Sequence, residues 1–465
     1  MGNKQTFALF FANRGFFPGE LIADAREEMK KVLEDKGFGY ICMEESLTRF
    51  GAVETIAEGE MYADFLEKNK GGYDGVIVCM PNFGDENGAS VALKNAGVPI
   101  LVQAYPDEIG KMDFAHRRDA MCGKFALCNV LRQMKLPFTL TEKFVVKPDS
   151  ESFKKDLDRF ASICRIVKGM KSFNVGAIGA RTTAFKTVRF DEIAMMNAGI
   201  NVETIDLSDV FMRMEKVEDS RMAEKRASYL TQTTFSGFPE TKLDTIARLG
   251  VVIDDIINEY RLDAVAIRCW SELEIKFGIA PCMVLCDLNE RGIAAACELD
   301  VNNAVYMRAV SLASGGASTI LDFNNNYGED DNKYIVFHCG PNPISMLKGK
   351  GEIIEHKMFK KSFGEGTGVG VNKSELKSGA VTYGSLKSEG GHITAFVSEG
   401  EFTDDVIESE FFGSGKVIYG KTVNEVIEHV ATQGYKHHLC FSFGKCASAL
   451  NEAFNKYLGI ECKII

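Results

Sequence analysis

Ile293-Ala294-Ala295-Ala296-Cys297-Glu298-Leu299-Asp300, then Val301 to Gly315, then Ser318-Thr319-Ile320-Leu321-Asp322, is the stretch on which the fold turns. A short apolar run ends in Glu298. A segment of helical spacing follows and closes on Gly315-Gly316, and a second apolar run ends in Asp322. Strand, helix, strand predicts two parallel strands in one sheet. Both carboxylates would then leave the carboxyl edge, where open α/β sheets bind ligands. Tyr334-Ile335-Val336-Phe337 ends likewise in His338.

Working outward, the fold class expected is α/β: two doubly wound parallel-sheet domains followed by a β-rich, barrel-like carboxyl-terminal domain. Residues 1–168 alternate strand and helix. Thr6–Phe11 and the apolar Gly75–Met80 read as strands, and Glu20–Lys36 and Glu54–Asn69 as amphipathic helices. A second α/β domain is expected over 169–334, with strands at Asn174–Gly179 and Ala264–Ile267 and both acids. From 335 to 465 glycine and lysine become frequent, and helices are expected only at Val423–Thr432 and Ala447–Leu458. Gly364 to Gly370 is glycine-rich, but no apolar strand leads into it and no helix opens after it. It reads as a β-turn and not as a phosphate loop.

Composition sets outer bounds. Of 465 residues, 45% are hydrophobic and 26% charged, so large cores are within reach. Net charge is −11 with no basic stripe, which argues against nucleic acid as a partner. No apolar run has the length of a membrane span. The thirteen cysteines are scattered, without paired CxxC spacing, and fit a reducing compartment. A cytoplasmic protein is expected.

The candidate chemistry lies with acids and imidazoles. Asp322, before Phe323-Asn324-Asn325-Asn326, reads equally as a turn or cap residue. Glu298 is harder to dismiss, because Asp300 is the natural helix N-cap and leaves Glu298 free. A buried carboxylate then needs a partner or a metal. Only seven histidines occur. His437 and His438 are adjacent before Leu439-Cys440-Phe441, so strand alternation lets at most one face a given site easily. Carboxylates and imidazoles without thiolates suit Mn²⁺, Co²⁺ or Mg²⁺. Trp270, the single tryptophan, fits a core or a sugar-stacking role equally.

Arg268-Cys269-Trp270-Ser271-Glu272, Pro281-Cys282, Ala296-Cys297-Glu298-Leu299-Asp300-Val301, Asp322-Phe323-Asn324-Asn325 and His437-His438 before Gly444 together resemble the L-fucose isomerase/L-arabinose isomerase superfamily. The resemblance is clearest over 263–344 and 435–444. It implies a Mn²⁺-type aldose–ketose isomerase with Glu298 and Asp322 as metal-binding and catalytic acids and His438 as the late histidine ligand. His338 matches an additional histidine of the arabinose isomerases. It also implies a homo-oligomer, trimer or hexamer, in which one subunit's amino-terminal domain closes another's site; Arg14 is the candidate for that reach. Trp270, His437 and Arg181 are candidate substrate contacts.

The reaction asks for such residues. Moving a carbonyl between neighbouring carbons requires a base for a weakly acidic C–H and stabilisation of an enediolate. Which acid is the base stays open, and a metal-assisted hydride shift would use the same ligands. The expected substrates are L-fucose, D-arabinose, L-arabinose or the sulfonated hexose sulfoquinovose, for which Arg14, Arg181 and Lys186 supply positive charge. A non-catalytic sugar-binding protein and a metal-dependent hydrolase or aldolase are the rival readings.

Overall fold

Gly75–Met80 is apolar at every position because it is covered on both faces. It sits inside a parallel sheet built from β1 (Thr6–Phe11), β2 (Gly39–Cys42), β3 (Gly75–Met80), β4 (Ile100–Ala104) and β5 (Thr139–Leu140), in the order β2-β1-β3-β4-β5. Val76, Val78 and Met80 pack with Tyr62, Leu66, Ala89, Leu93 and Leu127 of the helices on one face. Ile77 and Cys79 pack with Ile22, Met29, Phe153, Leu157 and Phe160 on the other. Period-two alternation thus feeds two cores, the signature of a doubly wound sheet. The computed structural model describes residues 4–408 and 413–465. This first unit spans Met1–Lys168, and Gly169–Ile465 forms the second.

The second unit begins with β6 (Phe173–Ile178), β7 (Ile200–Ile205), β8 (Thr233–Thr234), β9 (Ala264–Ile267) and β10 (Ala294–Ala296). Four of them form a parallel sheet in the order β10-β9-β6-β7. The remaining strands are β11 (Ser318–Asn326), β12 (Lys333–His338), β13 (Gly351–Glu355), β14 (Val369–Lys373), β15 (Gly379–Glu389), β16 (His392–Phe402), β17 (Ser414–Tyr419), β18 (His438–Phe443) and β19 (Glu461–Ile464). A seven-stranded sheet runs β15-β18-β11-β12-β17-β16-β19, and β15 also pairs with β16. The extra pairing closes a barrel. On the far edge of β16, β17 takes Glu401–Phe402 and β19 takes Thr394–Val397. Leu321, Val336, Tyr383, Phe396, Phe402, Leu439 and Phe441 fill its interior. β14, β13 and β8 make a small third sheet.

Three expectations need correction. Asp322 is not on a strand beside that of Glu298. β10 is an edge strand that pairs with β9, whereas β11 lies antiparallel between β18 and β12 in the barrel. The helix Val301–Ser314 therefore crosses between sheets rather than returning to its own. It is buried along nearly its whole surface, so its sequence carries no polar face to report which sheet it serves. Second, a domain boundary after 334 would cut β12, and the strand carrying Asp322 belongs with the barrel. Third, a helix forms at Lys357–Phe363, where none was expected.

The crossing helix seats on the barrel through a close approach. The Tyr306 hydroxyl donates to the Phe396 carbonyl at 3.0 Å. A Cβ on Gly384 would run into both of these groups. Gly384→Ala should destabilise the protein by about 1–3 kcal/mol through overpacking. Gly349→Ala, where nothing lies within 4 Å, should be near neutral. Urea unfolding midpoints of the two variants test the contrast.

Candidate active site

Two left-handed residues in succession, Glu298 (φ 52°) and Leu299 (φ 61°), swing the chain off β10. For residues other than glycine this costs roughly 1 kcal/mol each and recurs at functional sites. The turn is clamped: Leu299 N–H donates to the Ile267 carbonyl and Asp300 N–H to the Cys297 carbonyl. It leaves Glu298 6% exposed. From the barrel, Asp322 and His438 are direct cross-strand partners on β11 and β18, so their side chains share a face. Leu321 and Leu439 alternate into the barrel core, so this shared face is the outer one.

The groups converge from both sheets. His438 Nε2 lies 3.4 Å from Asp322 Oδ1 and 3.7 Å from Glu298 Oε2. His338 Nε2 lies 3.7 Å from the same Glu298 oxygen. His437 Nε2 is 3.9 Å from Asp322 Oδ1. His437 precedes the first residue of β18, which frees it from strand alternation, so both adjacent histidines reach Asp322. Glu298, His338 and His438 form one group that can hold a metal ion, and Asp322, His437 and His438 another.

Glu298 Oε2 and Asp322 Oδ1 are buried without a hydrogen-bond partner. Orphaned carboxylate oxygens are costly. Donor bonds of about 2.1 Å would set neighbouring ligand atoms roughly 3 Å apart; the 3.4 Å from His438 to Asp322 is near that, whereas Glu298 and Asp322 belong to separate groups and would have to draw together around an ion. The donor set fits a divalent cation.

The two buried imidazoles are held in opposite ways. His438 Nδ1 faces Asp300 Oδ2 at 3.0 Å, so Nδ1–H donates and the Nε2 lone pair points at Glu298 and Asp322. This is the carboxylate–histidine arrangement of metal sites. His338 Nδ1 accepts from the Cys339 N–H at 2.9 Å, so the neutral ring carries its proton on Nε2, toward Glu298. Burial opposes charging of both rings. The thiol of Cys339 and Glu298 outweigh it at His338, and the Asp300 bond with two carboxylates outweighs it at His438. Both are held above the ordinary histidine value. Burial and the neighbouring His438 hold His437 below it.

Comparison with known proteins places this geometry. The family description "Fucose/sulfoquinovose isomerase, N-terminal domain" matches residues 8–171, and "L-fucose isomerase, C-terminal domain" matches 336–465. The chain is a fucose isomerase-like protein. It is similar to a sulfoquinovose isomerase of Priestia aryabhattai, 23% identical over 430 residues that cover 89% of this chain and 90% of that one. A sulfoquinovose isomerase of Alkalicoccus urumqiensis is 24% identical over 385 residues, covering 80% and 82%. One from Clostridium sp. (strain MSTE9) is 22% identical over 237 residues. The enzyme class is that of the aldose–ketose isomerases.

Within this family member, Phe185 is a wall that sequence reading missed. Its ring stacks on Trp270 at 5.7 Å and lies 5.6 Å from both His437 and His438. Trp270 also meets Phe359 edge-on at 6.4 Å, so the tryptophan borders the site through aromatic neighbours. Arg181 stands on the loop before Phe185 and donates to the Thr182 and Thr183 carbonyls. Arg14 belongs to the first unit, where it bonds the Gly84 carbonyl and Glu86 and lies over Phe83.

Asp300 and Lys436 were also missed as site groups. Asp300 caps its helix as expected, accepting from Asn303 N–H. It also takes Lys436 Nζ at 3.1 Å and His438 Nδ1 at 3.0 Å. Burial opposes its charge, but Lys436 and His438 overcome that and hold its carboxyl at about 2. A depressed folded value gives stability that is complete above the ordinary 3.8 and drains away as pH falls toward about 2. Asp300→Asn should therefore lower stability at neutral pH by about 2 kcal/mol or more. The gap to wild type should narrow on acidification below 3.8, and denaturant titrations at neutral and acid pH measure it.

Proposed function

We propose that the protein is a metal-dependent isomerase of a sulfonated aldohexose, sulfoquinovose, with Glu298, Asp322 and His438 as the metal-binding set. The observation that carries the metal reading is the pair of orphaned carboxylate oxygens, Glu298 Oε2 and Asp322 Oδ1, converging on one His438 nitrogen. The relatives' shared name carries the sugar. A hard-to-borderline ion such as Mn²⁺ suits one imidazole and two carboxylates, with Co²⁺ and Mg²⁺ as alternatives. When bound, such an ion polarises the sugar oxygens as a Lewis acid.

The chain's own residues do the rest. Glu298 is the base in this reading: buried, held by a strained turn, and flanked by two imidazoles. It takes the proton from one carbon and returns it to the neighbour. His338 offers an N–H beside Glu298, not a lone pair, so it is assigned to hydrogen bonding at the substrate and not to the metal. Phe185 and Trp270 exclude water and present an apolar surface to the sugar ring. Arg181 and Lys186 flank Phe185 and are assigned to the sulfonate.

A homo-oligomer is part of the proposal. Phe16, Ile109, Met112 and Phe114 are exposed on loops that follow β1 and β4 at the carboxyl edge of the first unit's sheet. Exposed apolar side chains on one edge of a sheet favour a protein interface. A cytoplasmic location agrees with thirteen free cysteines. Among the described residues no helix is long and apolar enough to cross a membrane.

The test is a panel of sulfoquinovose, L-fucose, D-arabinose and L-arabinose, with Mn²⁺ and after chelation, read by NMR for ketose. Sulfoquinovose should be converted and chelation should abolish turnover. Conversion that survives exhaustive chelation, or no ketose from any sugar, would overturn the reading. Glu298→Gln should be inactive with its fold intact. Arg181→Ala and Lys186→Ala should each raise KM for the sulfonated sugar about tenfold, or about 1.4 kcal/mol, and change kcat little. For the oligomer, light scattering should show a multiple of the 51.3 kDa chain, with Phe114→Asp shifting it toward monomer.

A further inference from the structure

Beside His338 lies a cluster of thiols that the isomerase chemistry leaves unused, one of which, Cys297, also has its sulfur within 4.8 Å of a Glu298 oxygen. Cys297 follows β10, Cys339 follows β12, and Cys282 opens the helix Cys282–Glu290. Cys282 Sγ and Cys339 Sγ are 3.6 Å apart, and Cys339 Sγ is 3.3 Å from His338 Nδ1. Cys297 Sγ, Cys339 Sγ and a His338 nitrogen all lie within 4.8 Å of one another. Cys297 is 0%, Cys282 2%, His338 3% and Cys339 9% exposed.

We propose that Cys297, Cys339 and His338 Nδ1 form a second cation site, selective for a thiophilic ion of the Zn²⁺ or Cd²⁺ class and separate in its donors from the carboxylate site. The spacing supports it. A tetrahedral ion with metal–sulfur bonds of about 2.3 Å sets its ligand atoms roughly 3.8 Å apart. Cys339 Sγ lies 3.3 Å from His338 Nδ1, and the Cys297 sulfur lies within 4.8 Å of the donor atoms of both. The donor chemistry supports it as well, since two sulfurs and one imidazole are donors of the kind zinc takes, whereas the carboxylate site offers harder oxygen donors. The His338 lone pair faces this pocket: Nδ1 accepts from the Cys339 N–H, a contact the ion would take over. Each thiol that binds loses its proton to water as its sulfur–metal bond forms. His338 keeps Nε2–H toward Glu298, so the loaded site fixes the ring in the orientation the carboxylate site uses. The ion would also tie β10 to the end of β12.

The probe is Cd²⁺ added to reduced, full-length protein whose carboxylate site is pre-filled with Mn²⁺. The exposed Cys122 is replaced by serine throughout. The readouts are thiolate-to-cadmium charge-transfer absorption and metal content. One equivalent should bind with a thiolate band. Cys297→Ser and Cys339→Ser should weaken binding at least tenfold, and Glu298→Gln should retain it. No band, or a band unchanged in the Cys297→Ser/Cys339→Ser double variant, overturns the proposal. X-ray absorption on the Cd²⁺-loaded protein with both thiols intact is independent of how the variants fold. Two sulfurs and one nitrogen support the site, and an oxygen-dominated shell overturns it. Isomerase turnover is not a readout, so the sugar reading and this one fail separately.

Discussion

One buried carboxylate holds the two halves of the site in register. Asp300 leaves the edge of the parallel sheet, caps the crossing helix through Asn303 N–H, and grips His438 Nδ1 and Lys436 Nζ from the barrel. Asn303 adds a second tie by donating to the His438 carbonyl at 3.1 Å and to Asp300 Oδ2 at 2.8 Å. A fully buried acid is tolerated only because every partner is in place, and removing one leaves an uncompensated charge. The same network decides which nitrogen of His438 is free. Fold registry and ligand geometry are therefore one constraint.

Charge balance leaves the site with negative charge that the protein does not answer. Glu298, Asp300 and Asp322 crowd one corner, and Lys436, 3% exposed, answers Asp300. The oxygens left over are Glu298 Oε2 and Asp322 Oδ1, 3.7 and 3.4 Å from His438 Nε2. Two imidazoles approach the same Glu298 oxygen, but their outer nitrogens are tied to different partners, Asp300 for His438 and the Cys339 backbone for His338. Identical residue types at similar distances thus acquire different chemistry from what stands behind them.

Legibility in the sequence followed how local the physics was. The fully apolar Gly75–Met80 and Ala264–Ile267 announced buried parallel strands, and both have the bounds their composition suggested. Glu298 stood out because a glutamate after small apolar residues, beside an obvious cap at Asp300, has no local duty. The pairing of β11 was illegible because the helix before it is buried on nearly every side, with Asn302, Asn303 and Ser311 buried among apolar residues, and gives no direction. His437 escaped the alternation rule by preceding its strand. Phe185, Lys436 and the thiols act through contacts far apart in sequence, and no local pattern marks them.

Placing the two acids on different sheets has a physical consequence. Had both followed neighbouring parallel strands, their separation would be set by strand spacing alone. Here Glu298 is aimed by a strained turn on an edge strand, and Asp322 by cross-strand pairing with His438 in a closed barrel. The barrel fixes Asp322 and His438 relative to one another through backbone hydrogen bonds. The turn then sets the approach of Glu298 independently, and the cap at Asp300 locks it. The helix between them is buried on nearly every side because it bridges two cores, with Tyr306 packed into the barrel wall at Gly384 and Asn303 buried against Asp300. The helix that makes the fold hardest to read from sequence is thus also what brings two orphaned oxygens to a single imidazole nitrogen.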